Sequence, residues 1–223
     1  LEDYSIALTP GLQLLNPHPL DAVKLKTIAA GLTKGVDGFA KLDYVTAELK
    51  EIASRFDSRV LVNQDFTSEA LKQEIQYSDY PIVHIATHGQ FSSSLEDTFL
   101  LAWNERININ ELNNILQTRN ADPEKAIELL VLSACETATG DRRAALGMAG
   151  IAVRAGAKST LATLWSVNDQ ATAKLMSDFY QELSTKHLAK AEAVRQAQLT
   201  LLHNRWYKHP FYWAPYVLLG NWL

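Results

Sequence analysis

One cysteine in 223 residues excludes an internal disulfide, so the fold must be held by packing and hydrogen bonds. No stretch approaches the apolar length of a bilayer span. Neither sign of charge dominates. A formal net charge of -4 and a pI near 5.9 give no general attraction for nucleic acid or an anionic membrane, and neither is expected as a partner. Repeats, linkers and low-complexity segments are missing. Gly140, Gly147 and Gly150 do not spell the G-x-x-x-x-G-K-[ST] phosphate loop, and no motif calls for a cofactor; the glycines read as places where a helix packs closely on a sheet. The chain opens at Leu1 with neither methionine nor a signal pattern, so we expect a piece of a longer protein in a reducing, cytoplasmic setting.

What is present is an ordinary globular composition, 47% hydrophobic and 21% charged, enough for a substantial core. Short apolar runs alternate with helical spacing. Leu25 to Ala30 reads as a strand, followed by Gly31, Gly35 and Gly38; Leu42, Val45, Leu49, Ile52 and Phe56 then recur at helical intervals. Val60 to Val62, Ile82 to Ala86, Phe99 to Trp103, Leu129 to Ser133 and Ser159 to Leu164 read as further strands. Between them we expect helices capped at Thr67 or Ser68, at Asn110, and at Asn168 or Asp169, and a small-residue helix from Ala144 to Arg154 stopped by Gly156. A last helix near Ala189 to Leu202 leads to an edge strand at Tyr216 to Leu219. Such alternation predicts an α/β fold with a mostly parallel central sheet and helices on both faces, its chemistry beyond the carboxyl ends of the strands.

Three of those ends carry reactive residues: "IVHIATHGQF" with His88, "LLVLSACETATGD" with Cys135, and "STLATLWSVNDQ" with Ser166 and Asp169. If the strands are neighbours, the three share one rim. A thiolate is the reactive form of cysteine, and an imidazole beside it can take the proton and return it to a leaving amine. The backbone N–H groups of Cys135 and Gly89 are candidates for an oxyanion hole, and Gly89 would allow close approach of a substrate carbonyl. Taken singly, Cys135 also reads as a small buried apolar residue. His84 and His88 invite a zinc site with Cys135, but four residues along a strand span about 13 Å at roughly 3.3 Å each, too far to share one metal. His84 is expected in the core. Trp206, Tyr207, Phe211, Tyr212, Trp213 and Tyr216 read as closure of the core, with a peptide-binding platform as the alternative. Arg142 and Arg143 read as solvated or as part of a gating loop, and the polar stretch Thr137 to Arg143 as the likeliest mobile element.

His88 stands 47 positions before Cys135, close to the caspase separation of about 50, and Ala134-Cys135 keeps the centre of the caspase signature while Ser133, Glu136 and Thr137 depart from its flanks. Together "HIATHG", "LLVLSACET", "GMAGIAVRAGAKSTLATLW", "ND" and "HPFYWAPYVLLGNW" resemble the CHAT domain family, caspase-like domains related to separase and often joined to tetratricopeptide repeats. The resemblance runs from about Leu25 to Trp222, which leaves 1–24 as a lead-in and 25–223 as the domain. It implies a clan CD cysteine peptidase with His88 and Cys135 as the catalytic dyad, a protein or peptide substrate, and upstream repeats or a regulatory partner. It also implies a substrate pocket lined by Trp165, Ser166 and Asp169. Separase, which "LWSVND" resembles, has an acid where Ser166 stands and cuts after arginine; its loss puts that preference in doubt, and Asp169 is either a substitute acid or the cap of a helix beginning at Gln170. Cleavage after Asp is expected to be disfavoured, with a lean to apolar residues. The alternative to an enzyme is a non-catalytic scaffold on the same fold.

Overall fold

The computed structural model describes residues 1–9, 19–20, 25–91, 97–119, 125–133, 136–137 and 156–223. The expected helix from Ala144 to Arg154 and most of the Thr137 to Arg143 stretch lie outside them, as does Cys135.

Six strands form the main sheet in the order β10-β9-β7-β3-β1-β2. They are β1 (Lys26–Gly31), β2 (Asp57–Val62), β3 (Ile82–Ala86), β7 (Leu129–Ser133), β9 (Ser159–Thr163) and β10 (Tyr216–Gly220). All pair in parallel except β10, which runs antiparallel to β9. Every residue of β3, β7 and β9 is buried, as expected of strands covered on both faces. β2, at the edge, is largely exposed and polar at Asp57 to Arg59, so its first half carries no apolar signal; the strand starts three residues before the expected Val60. The other edge is partly covered by the amino-terminal segment, where Leu8 bridges β10: its N–H donates to Leu218 O and its carbonyl accepts from Gly220 N, both at 2.8 Å.

The chain leaves β1 for α1 (Val45–Arg55) and returns as β2, then crosses through α2 (Ser68–Tyr77) to β3 on the other side of β1. The direction of winding therefore reverses between β1 and β3, the place where open α/β sheets hold their ligands. Helix α1 buries Val45, Glu48, Leu49 and Ile52 on one stripe, and α4 (Asp169–Thr185) and α5 (Lys190–Leu202) share its face of the sheet. Gly31 permits α1 to sit this close: a Cβ there would lie 2.7 Å from Ala86 O and 2.8 Å from Val45 Cγ1. The opposite face holds α2 and α3 (Ile109–Gln117). Ten residues make a marginal helix alone. Burying Leu71 and Ile75, each contributing about 1.5–3 kcal/mol, supplies what α2 lacks.

Thr67 caps α2 as expected, accepting from Ala70 N at 3.1 Å. The expected cap of α3 is corrected from Asn110 to Asn108, whose Oδ1 accepts from Asn110 N and Glu111 N, both at 3.0 Å. The earlier start turns Ile109 into the core. A second sheet that the sequence does not announce, β6-β5-β4-β8, stands beside the carboxyl ends of the first. It comprises β4 (Gly89–Phe91), β5 (Phe99–Ala102), β6 (Glu105–Asn108) and β8 (Glu136–Thr137). β5 and β6 are joined by Trp103-Asn104, with Asn104 at a φ of 58° as a tight hairpin turn requires. A four-residue helix, α6 (Pro210–Trp213), precedes β10. Among the described residues no helix is long and apolar enough to cross a membrane.

Candidate active site

β3 ends at Ala86 and β4 begins at Gly89, so Thr87 and His88 form the corner between the two sheets. The corner is fixed from both sides. Thr87 N–H donates to Ser133 O at 3.2 Å and Thr87 Oγ1 to Leu101 O at 2.7 Å, while His88 O accepts from Leu101 N at 2.8 Å.

The His88 ring is half-buried, with Nε2 2.8 Å from the carbonyl oxygen of Ala40. A carbonyl only accepts, so Nε2 is the donor here, and in the neutral imidazole the lone pair then sits on Nδ1. The ring lies 5.1 Å from Phe39, which meets Phe99 edge-on at 6.3 Å. Arg106 lies 4.4 Å over the Phe99 ring and binds Asp37 through Nε at 2.6 Å. Segment 32–44, between β1 and α1, is thereby folded against the rim, turned by positive φ at Asp37 and Gly38.

β9, β7 and β3 are neighbours and run in the same direction, which is the condition the expected rim requires; Cys135 itself lies outside the described residues. Ser133, the last residue of β7, pairs with Ala86, and Glu136 pairs with Gln90 in β4. The chain on either side of Ala134-Cys135 is therefore aligned with the chain on either side of Thr87-His88-Gly89. Gly89 is buried and pairs with Leu100.

After β9, Trp165 is half-buried and its indole N–H donates to Phe211 O at 3.2 Å; Ser166 is exposed. Asn168, with an extended backbone, caps α4 by accepting from Ala171 N at 3.0 Å. The expectation that Asp169 caps a helix starting at Gln170 is corrected: Asp169 is already helical, and its Oδ2 instead accepts from Tyr44 N at 2.9 Å at the start of α1. Oδ1 is buried without a hydrogen-bond partner, and burial raises the Asp169 pKa above the usual carboxylate range, with the Glu48 charge adding to the rise and the N–H groups of Tyr44 and Asp43 opposing it. One segment, 39–44, thus touches both His88 and Asp169.

His84 is fully buried, as expected, and among the described residues no group of His, Cys, Asp and Glu is arranged to hold a metal. Tyr216 is buried and Tyr207, Tyr212 and Trp213 pack against the core, whereas Trp206 and Phe211 remain exposed. A groove of about 510 Å³ lined by Arg59, Tyr77, Asp79 and Tyr80 lies toward the amino end of β3, away from His88. The sequence reading missed Phe39, Ala40 and Tyr44. Ala40 acts through its backbone carbonyl, for which sequence carries no signal.

No curated protein matches this chain. Solved structures do. The complex of the pro- and mature domains of Porphyromonas gingivalis RgpB aligns over 89% of this chain and 47% of its own, with a TM-score of 0.56 at 8% identity. The Arg-specific cysteine proteinase gingipain R aligns over 89% and 46%, with a TM-score of 0.52 at 7% identity. The chain spans about half the length of these structures, and at such identity the likeness is one of fold: the mostly parallel, caspase-like sheet of clan CD proteinases. The family model for the CHAT domain matches residues 1–221, which with that fold makes this chain a member of the CHAT domain family.

Proposed function

We propose that this domain is a cysteine endopeptidase acting through a His88/Cys135 dyad. The observation that supports the reading is the contact of His88 Nε2 with Ala40 O, which in the neutral imidazole leaves Nδ1 to act as the base, at the corner between two strands whose partners flank Cys135. In this mechanism Nδ1 takes the Cys135 proton, and the thiolate attacks the peptide carbonyl. The N–H groups of Gly89 and Cys135 hold the oxyanion, and the imidazolium returns its proton to the leaving amine. Water, deprotonated by His88, then hydrolyses the thioester.

Trp165, Ser166 and Asp169 line the pocket for the residue before the cut. An apolar preference is supported by the half-buried indole and by Asp169, one of whose oxygens already serves Tyr44. An acidic residue there would meet Asp169, so cleavage after Asp is disfavoured. Regulation by upstream tetratricopeptide repeats or a partner, and a cytoplasmic setting, complete the proposal. Profiling a peptide library with the activated full-length protein tests it. Cleavage that is lost in Cys135→Ala supports the enzyme; the same cleavage retained in Cys135→Ala refutes the dyad. Dominant cutting after Asp overturns the pocket, as does cutting after Arg that Asp169→Asn abolishes. A partner-bound wild-type protein that cleaves nothing indicates the scaffold alternative.

A further inference from the structure

Between α1 and the sheet lies a buried polar chain that the proposed mechanism does not use. Ser133 Oγ donates to Glu48 Oε1 at 2.7 Å and His84 Nδ1 meets Tyr180 OH at 3.0 Å, while His84 Nε2 stands 2.9 Å from the same Glu48 oxygen in a close polar contact without hydrogen-bond geometry. Ser133, His84 and Tyr180 are at most 1% exposed and Glu48 is 3% exposed. Glu48 Oε2 is buried with no hydrogen-bond partner among the described residues. The surroundings are apolar: Ala29, Val45, Ile82, Val131, Phe179 and Leu175 belong to the same cluster. Burial, with the Glu48 charge behind it, pushes the Tyr180 hydroxyl well above its usual pKa, so it stays a donor.

On stability alone this cluster is a poor choice. A buried carboxylate with a spare oxygen carries a desolvation cost that well-packed aliphatic side chains would avoid. What it does instead is connect. Ser133 is the last residue of β7, two before Cys135; His84 is in β3, four before His88. Glu48 is on α1, one turn beyond Tyr44, and the segment leading into α1 supplies the Ala40 carbonyl that orients His88. Three elements that carry or hold the dyad thus converge on one oxygen atom: Ser133 ties β7 to α1 by a directional hydrogen bond, and His84 sets β3 against the same oxygen at 2.9 Å.

Resting on the dyad reading above, we propose that Glu48 is a positioning residue for it: the carboxylate locks β3, β7 and α1 so that the His88 imidazole is held at the distance from Cys135 that activates the thiol. Glu48 touches no substrate. Its removal leaves the sheet hydrogen-bonded, since the β3–β7 ladder from Ile82↔Leu129 to Ala86↔Ser133 does not involve it, but loosens the helix and segment 39–40 relative to the strands.

Cys135 is the only cysteine in these 223 residues, and its alkylation by iodoacetamide is read at the Cys135 peptide by mass spectrometry. The experiment follows alkylation rate against pH in the full-length protein for wild type, Glu48→Leu, Glu48→Gln, His88→Ala and the Glu48→Leu/His88→Ala double variant, with thermal unfolding alongside. Glu48→Leu is expected to unfold cooperatively, to react at least about tenfold more slowly at pH 7, and to move its inflection toward the roughly 8.5 of a free thiol. Glu48→Gln, which keeps an acceptor for Ser133, recovers part of the rate, and Glu48→Leu adds nothing once His88 is gone. A wild-type profile in Glu48→Leu, or equal slowing by Glu48→Leu with and without His88, overturns the positioning role while leaving the dyad intact. If His88→Ala itself reacts like wild type, the dyad reading has failed and the positioning role with it. Should Glu48→Leu not fold, Ser133→Ala and Tyr180→Phe, each losing one hydroxyl, carry the same test: slowing supports the proposal and an unchanged profile overturns it.

Discussion

The middle of β3 and its carboxyl end each hold a histidine, four residues apart, in opposite circumstances. His84 is fully buried, with Tyr180 OH on Nδ1 and Glu48 Oε1 2.9 Å from Nε2. His88 is half-buried, with Nε2 on a backbone carbonyl and no second hydrogen bond of its ring among the described residues. A fully buried histidine held between a carboxylate and a phenol is placed to be a structural part; one at a partly open corner, with Nε2 donating to a carbonyl, is placed as the proposed base requires. The same residue type, within β3 and two residues past its end, thus meets different neighbours, and in the proposed mechanism the carbonyl of Ala40 makes the difference.

Breaking the comparison at its functional end has the largest expected effect. His88→Ala lowers kcat/KM for a cleavable peptide by about 10²–10⁴-fold, while the unfolding midpoint in urea hardly moves. His84→Ala does the reverse to stability: it leaves the buried Glu48 carboxylate without its imidazole and is expected to cost about 3 kcal/mol in urea unfolding. Equal loss of stability in the two variants would erase the distinction.

Lys190 sharpens it as a buried group without such partners. Its Nζ meets no hydrogen-bond acceptor, and burial lowers its pKa to about 8, with Lys158 adding to the fall and Glu128 opposing it. The unfolded chain, with a lysine near 10.5, binds more protons between those two values, so stability at this position rises as pH climbs from about 8 to 10.5. Lys190→Met removes that rise and is expected to stabilise the protein by about 2–3 kcal/mol at pH 7, the gain vanishing above pH 10.5. Denaturant unfolding across that pH range checks the sign.

The smallest effect belongs to Asp169. Its folded pKa lies above the usual value, so the folded state binds more protons and wild-type stability falls as pH rises through and just above the ordinary carboxylate range. Asp169→Asn keeps an acceptor for Tyr44 N–H and is expected to lose that decline, with no loss of stability at neutral pH. Asp169→Ala, which leaves the Tyr44 N–H without its acceptor, is expected to cost about 1 kcal/mol. Thermal melts at pH 4 and 7 separate the two.

β3 and β7 are legible in the sequence to the residue, because runs buried on both faces are apolar throughout and stop where polar residues begin. The rim follows from them. β4 and β8 are not legible: with three and two residues they have no period to read, and they exist because Gly89–Phe91 finds Phe99–Ala102 on one side and Glu136–Thr137 on the other. Asn108 lost out to Asn110 as the expected cap because both are good caps, and only the burial of Ile109 decides between them. Glu48 was in plain view, since it falls on the apolar stripe of Val45, Leu49 and Ile52, and a carboxylate there signals a buried partner. The hold of Ala40 on His88 is a property of the backbone path and leaves no trace in residue identity.

The most direct test of the central claim, that His88 and not His84 activates Cys135, is mass spectrometry of the full-length protein after brief exposure to a peptidyl acyloxymethyl ketone. Cys135 should be labelled in wild type, lose its label in His88→Ala, and keep it in the folded fraction of His84→Gln. Equal labelling of wild type and His88→Ala would contradict the account.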